Sequence, residues 1–239
     1  MLEIHAKPLE FTAIGEILRD TEGDVRLEEC LGQRFIAAGA GERKVEITGV
    51  PGNALGAYLD GATIEVFGNA QDAVGDTMNA GSIVIHGNIG DTAGYAMRGG
   101  QIFVEGNAGY RVGVHMKEYK GKLPAIVIGG KTGSFLGEYQ AGGVIIVLGL
   151  HKEGPIVSNY PCTGMHGGKV FLRSDCKGIR FPSQVHTSPA APEDLAEIAD
   201  ILKEYCRWFD MDYEKLMDHP FTVVKPDSRN PYRQMYVAN

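Results

Sequence analysis

Six times between Val45 and Gly149 the chain writes a short alternating apolar strand and closes it on a glycine. The units are VEITG at Gly49, IEVFG at Gly68, IVIHG at Gly87, IFVEG at Gly106, IVIGG at Gly130 and IIVLG at Gly149, with VFLRS ending at Ser174 as a seventh. The steps between them are 19, 19, 19, 24, 19 and 25 residues. Seven residues after the first five corner glycines stand Gly56, Gly75, Gly94, Gly113 and Gly137. Apolar positions keep the same register: Val45, Ile64, Ile83, Ile102, Ile126 and Ile145 four residues before a corner, and Leu55, Val74, Ala93, Val112 and Leu136 six after. Alternating β-branched residues before a glycine describe a short strand with one face buried. A unit this small cannot bury that face alone, so successive units must stack. The expected fold is a single-stranded parallel β-helix with coils of ~19 residues, its neighbours about 4.8 Å apart.

The 33 glycines, nearly twice the usual share, thereby acquire a mechanical reading as corners, many needing φ > 0. Asn69, Asn88 and Asn107 each follow a corner and form one column, where stacked side chains can hydrogen-bond as a ladder. Glu65, the outward neighbour of Ile64, reads as a solvent-facing residue replaceable at well under about 1 kcal/mol.

Other chemistries find little support. GGKT at Gly129–Thr132 resembles the end of a phosphate loop, but Ala125 holds the place of the first glycine and no helix pattern follows. The histidines fall in different columns of the repeat, so no zinc-ligand set converges, and no nucleophile elbow or paired carboxylates are picked out by spacing. Cys30, Cys162, Cys176 and Cys206 stand far apart and read as reduced thiols of a cytoplasmic protein; Cys162, at a seventh position normally held by glycine, is a candidate surface thiol. The net charge of −7 argues against a nucleic-acid partner. No cationic leader with an apolar run opens the chain and no apolar run approaches the length of a membrane span, so neither a signal peptide nor a membrane partner is expected.

Outside the repeat, FTAIGEILRD near the N-terminus and PEDLAEIADILKEYCRWF at Pro192–Phe209 carry helical patterns. The second presents Leu195, Ile198, Leu202, Tyr205 and Phe209 as a stripe suited to the end or side of the stack, and FTVVKPDSRNPYRQMY reads as an arm laid over a surface. The chain thus divides into an N-terminal cap with a short helix and partial first coil (1–44), the β-helix (45–174), and a C-terminal helix with docking tail (175–239).

The run GVPGNALGAYLDGATIEVFGNAQDAVGDTMNAGSIVIHGN, followed by AGYAMRGG, RVGVHMKEYKGK and TGMHGG, resembles the C-terminal GXGXG domain of the glutamate synthase large subunit, in its stand-alone form. The resemblance covers nearly the whole chain, including GQRF at Gly32–Phe35 and the FTVVKP tail. It implies a right-handed parallel β-helix and a non-catalytic scaffold role. It also implies two partners, a glutamine amidotransferase subunit and an FMN- and iron–sulfur-containing synthase subunit. The cofactors would sit on the synthase partner and none on this chain. The family's amidotransferase uses an N-terminal cysteine and its cluster cysteines are closely spaced; this chain opens Met1-Leu2 and has no such spacing, so no catalytic, cofactor or metal residue carries over. Two other functions fit a β-helix: a subunit of a formylmethanofuran dehydrogenase-like redox complex, and a free-standing acyltransferase or zinc hydratase. Self-association is left open by the residues.

Two segments break the 19-residue step, KEYKGKLP at Lys117–Pro124 and HKEGPIVSNYP at His151–Pro161. Insertions in a stacked solenoid leave the rod as loops, which are common carriers of function. Lys117, Tyr119, Lys120, Lys122, His151, Lys152 and Tyr160 are therefore candidate docking residues, the first loop suiting an acidic partner surface.

Overall fold

The computed structural model describes residues 1–150 and 154–227. Its elements follow in the order β1 (Leu2–His5), α1 (Phe11–Asp20), β2 (Val25–Leu31), β3 (Lys44–Val50), β4 (Asp60–Phe67), β5 (Ala80–Ile85) and β6 (Gln101–Val104). Then come β7 (Ala125–Ile128), β8 (Ala141–Val147), β9 (Gly167–Leu172), β10 (Val185–Pro189), α2 (Pro192–Trp208), α3 (Tyr213–Met217) and β11 (Thr222–Pro226). Strands β1 to β9 stack in chain order, each parallel to the next, as a β-solenoid. The parallel ladder therefore begins at Leu2, with α1 standing where the first coil would return. At the other end β11 runs antiparallel between β9 and β10.

The register is that of the repeat. Val45 pairs with Ile64, Ile64 with Ile83, Ile83 with Ile102, Ile102 with Ile126 and Ile126 with Ile145. All six are sealed from solvent, as are Leu55, Val74, Val112 and Leu136 across the coil and Met78, Met97 and Met116 beside them. Each coil is thus one layer of a continuous aliphatic core in which like side chains sit on like.

Between the corner and the next strand the backbone does something the repeat did not announce. Alternate residues are left-handed: Ala54 (φ 62°), Gly56 (φ 62°) and Tyr58 (φ 58°) in one coil, and Ala73, Gly75 and Thr77 in the next. The N–H groups of Ala54 and Tyr58 donate to Asp72 O (2.9 Å) and Asp76 O (2.7 Å) of the following coil, while that of Gly56 donates to Ile36 O (2.9 Å) of the preceding one. Alternating hands point successive amides at opposite neighbours, so a bend with almost no strand still stitches both sides. A non-glycine residue in this conformation costs about 1–2 kcal/mol. Hydrogen bonds made in every coil offset that cost.

Glycine is required at the seventh position for a second reason. A Cβ on Gly75 (φ 68°) would lie 2.6 Å from Ile102 Cδ1 of the adjoining layer. Backbone hand and core packing both exclude it. Cys162 keeps the hand (φ 59°) at the last such position, where the facing column has passed from isoleucine to Val170 and Val224, which pair with each other. The expected surface thiol is therefore corrected: Cys162 is completely buried.

The outward face of the sheet changes chemistry along one column. Arg26, Glu46 and Glu65 are succeeded in register by Val84, Phe103, Val127, Ile146 and Phe171. Helix α2 lies over the apolar half, burying Ile198, Ile201, Leu202, Tyr205 and Cys206 against it. The helix thus covers the sheet's face, while its C-terminal edge is closed by β11 and β10. Glu65 is also corrected: it is 8% exposed and bonded to Lys44 (3.1 Å) and His86 (3.1 Å), so it is a satisfied buried charge. Removing it strands its partners and costs more than a surface change.

Ile102→Ala is expected to lower unfolding free energy by about 2–5 kcal/mol, read from urea melts. Gly75→Ala should cost more than about 1 kcal/mol. Combined with Ile102→Val, which removes the colliding methyl, it should cost less than the sum of the two single changes. Strict additivity would show that the clash is not what requires the glycine.

Candidate functional site

The asparagine column forms a hydrogen-bonded ladder. Asn69 Oδ1 accepts the Asn88 backbone N–H (2.8 Å) and its Nδ2–H (3.2 Å); Asn88 Oδ1 accepts the same pair from Asn107 at 2.8 and 3.1 Å. The ladder ends where the Lys131 backbone N–H donates to Asn107 Oδ1 at 3.0 Å. This explains Gly87, Gly106 and Gly130, which are not left-handed. A Cβ on Gly106 would stand 2.6 Å from Asn88 Oδ1, and Gly87 and Gly130 meet Asn69 and Asn107 in the same way. Gly49, Gly68 and Gly149 do take positive φ, as do Gly94, Gly113 and Gly137.

A second ladder, absent from the sequence reading, runs beside the first. Asn53 Oδ1 accepts from the Asp72 N–H (3.2 Å), Asp72 Oδ1 from the Asp91 N–H (2.8 Å), and Asp91 Oδ1 from the Tyr110 N–H (2.8 Å). The signal was present as an Asn or Asp four residues past three successive corners. Each of these side chains holds the bend of the following coil through one oxygen.

The nucleophilic side chains are withdrawn as well. Burial pushes the Cys30 and Cys162 thiols up to about 12, and raises those of Cys176 and Cys206. Among the described residues no three His, Cys, Asp or Glu side chains converge to hold a metal ion. Two further features lie in the N-terminal half. Lys44 and Arg26 hold the Glu46 carboxyl below its usual range, extending a ladder through Glu65 to His86, whose ring stacks on Phe67. A cleft of about 590 Å³ opens between α1 and the first bend, lined by Phe11, Leu18, Phe35 and Ala38. Arg43 beside it is committed to the helix end, donating to Leu18 O (2.7 Å) and Thr21 O (2.6 Å). The cleft thus sets these apolar walls beside the charged side chains of Glu16, Arg19 and Glu42.

The first insertion is an ordered hairpin. Tyr119 and Lys122 form an antiparallel bridge around Lys120 (φ 52°) and Gly121 (φ 74°), the two-residue turn with both centres left-handed. Tyr119 lies between two cations, Arg98 at 5.8 Å and Lys120 at 5.2 Å from its ring centre. Lys117 is exposed at the hairpin's base. Lys122 Nζ donates to Asn79 O (3.2 Å) and stands 3.8 Å from Asp60, fastening the hairpin to earlier coils.

In the second insertion, Ile156 and Val157 are buried and Val157 bridges to Thr132, so the coil has already resumed there. Tyr160 accordingly sits in the bend of a coil, stacked on Phe135 (5.4 Å), and is not a loop residue. His151 and Lys152 lie outside the described residues.

The inert thiols give a direct test. The folded chain should react with a thiol reagent at pH 8 far more slowly at Cys30 and Cys162 than the unfolded chain, since only the thiolate attacks. Rapid stoichiometric labelling of either in the native state would contradict the burial described.

A family model described as the GXGXG motif matches residues 19–226. An uncharacterized protein of Methanocaldococcus jannaschii is 41% identical over 238 residues, covering 95% of this chain and 91% of that protein. Among solved structures, a chain of the formyltransferase/hydrolase complex from Methylorubrum extorquens, in complex with methylofuran, matches with a TM-score of 0.61. That match has 21% identity and covers 82% of this chain and 70% of the other, a likeness of fold. No helix among the described residues is long and apolar enough to cross a membrane. With its repeat, its ladders and its corner glycines accounted for, this chain belongs to the GXGXG motif family.

Proposed function

We propose that this chain is a non-catalytic scaffold subunit of glutamate synthase, assembling with a glutamine amidotransferase subunit and an FMN- and iron–sulfur-containing synthase subunit. In this reading the assembly moves the amide nitrogen of glutamine to 2-oxoglutarate, and the flavin and cluster belong to the synthase partner. The observation that carries the scaffold role is how the side chains are spent. Along the coils the interior is filled by aliphatic columns, the Asn and Asp columns are engaged between coils, and the thiols of Cys30 and Cys162 are buried. A rod built this way offers shape and surface, and its chemistry is stacking. The membership in the GXGXG family and the motifs shared with the glutamate synthase domain support the choice of assembly.

A second reading has the fold match in its favour: a subunit of a formylmethanofuran dehydrogenase-like complex. The two are separated by reconstitution. Glutamate formation from glutamine, 2-oxoglutarate and a reductant should require all three polypeptides, with this chain alone giving none. Glutamate formation by this chain alone would overturn the scaffold role. Full activity of the other two without it, or stable assembly with formyl-transferring subunits instead, would overturn the assignment to glutamate synthase.

A further inference from the structure

The sheet side of the solenoid and the side of its left-handed bends are treated differently. On the sheet side, α2 and β11 cover the apolar half of the outward column. On the side of the left-handed bends, no element among the described residues covers the coils from Tyr95 to Tyr160, yet that is where large aromatic side chains collect. Tyr95, Tyr110, Tyr139 and Tyr160 are 41%, 53%, 44% and 64% exposed.

They are also ordered by the stack. The His115 ring meets Tyr95 edge-on at 6.0 Å and lies flat on Tyr139 at 5.2 Å. One column across, Arg111 sits over Phe135 at 4.8 Å, and Phe135 stacks on Tyr160. Backbone bonds from His115 N–H to Glu138 O (3.0 Å) and from Tyr139 N–H to Thr163 O (2.8 Å) fix these columns in register. The hairpin that carries Tyr119, Lys117 and Lys120 leaves the rod directly after His115 and Met116 and adjoins the same bends.

Composition and charge indicate what such a surface meets. Tyrosine and arginine are the residues that dominate binding energy at protein interfaces, and rings already held by stacking lose little freedom on contact. The chain carries 23 Lys and Arg against 30 Asp and Glu, yet among the described residues Lys117, Lys120 and Arg98 are exposed here without an ion pair, Arg98 and Lys120 lying over the Tyr119 ring, while the nearby acids are engaged, Glu138 with Arg111 (3.1 Å) and Glu118 with the Gly143 N–H (3.2 Å). Local positive charge on an acidic protein selects partners of opposite sign and repels a second acidic copy. From the uncovered bends, the stacked rings and these cations, we infer that the bend side of the coils from Tyr95 to Tyr160, with the Lys117–Pro124 hairpin, docks a carboxylate-rich surface of a partner subunit. The identity of that partner rests on the scaffold reading above; the existence of the surface does not.

The test uses the full chain in its own host, carrying a photo-reactive phenylalanine analogue at Tyr119, at Tyr139, or at the exposed Leu31 on the opposite end as a control. Cross-links from positions 119 and 139 to one partner protein, identified by mass spectrometry, are expected, with none from 31. Arg98→Glu, Lys117→Glu and Lys120→Glu together should reduce the cross-linked yield at least ~10-fold. The melting temperature should be unchanged, since all three side chains are exposed. His115→Ala should weaken binding without altering its salt dependence. If the captured partner is neither an amidotransferase nor a synthase subunit, the glutamate synthase reading falls and the surface stands. Several results would overturn the surface: no cross-link from 119 and 139, equal capture from 31, or insensitivity to charge reversal. Capture of a second copy of this chain, or of nucleic acid in place of protein, would overturn it as well.

Discussion

Everything in this molecule depends on coils that must hydrogen-bond to each other at a fixed spacing of about 4.8 Å. That spacing places each side chain directly above its counterpart, so a residue is chosen for its fit to the same residue one coil away. Isoleucine stacks on isoleucine through Ile64, Ile83, Ile102 and Ile126, and asparagine on asparagine through Asn69, Asn88 and Asn107. The glycines are consequences of the same constraint. Gly75 is small because Ile102 reaches into its place, and Gly106 because Asn88 does. A mutation at any of them is felt in the neighbouring coil before it is felt in its own.

This is also why so much of the fold was legible. A period that repeats in space must repeat in sequence, and the columns at Val45 and Leu55 could be read by counting. Both long helices were equally plain, α1 at Phe11–Asp20 and α2 at Pro192–Trp208, because each carries its own periodicity. Less visible were features that depend on which neighbour a residue meets. Ala54, Tyr58 and Thr77 carry no mark of being left-handed; only the bonds to the next coil stabilise that hand. Tyr160 read as a loop residue because the place where an insertion ends is set by pairing, here Val157 to Thr132, and not by composition. The column from Glu65 to Val84 did carry a signal, a charge giving way to an aliphatic, but it acquires meaning only once the strands are in register.

The switch in that column divides the rod into functional sides. From Val84 onward the sheet must be covered, and α2 covers it, with Tyr205 buried against Phe103. Before Val84 the column needs no cover, because Arg26 and Lys44 pair with Glu46, and Lys44 with Glu65, whose other oxygen lies within hydrogen-bond distance of the His86 ring. Such partly buried pairs contribute little to net stability, since desolvation offsets much of their attraction. What they supply is a surface that tolerates water and disfavours an apolar partner. The apolar half of the sheet side is thereby covered by packing, and the charged half is satisfied within itself.

The bends differ because their outward side chains are free of the core's demands. Stacking fixes their backbone through left-handed amides, leaving outward positions such as His115, Phe135 and Tyr139 unconstrained by packing inside. Where a position is unconstrained, solubility alone would favour small or charged residues, as at Ala73 and Thr92 in the same column nearer the N-terminus. Aromatic rings at Phe135 and Tyr160 run against that tendency, and they do so in adjacent coils where each orders the next. A rigid stack converts this local choice into an extended, prealigned surface at no further backbone cost. The repeat that fills the interior of the coils with aliphatic columns is therefore the same device that gives the rod a long, ordered outward face.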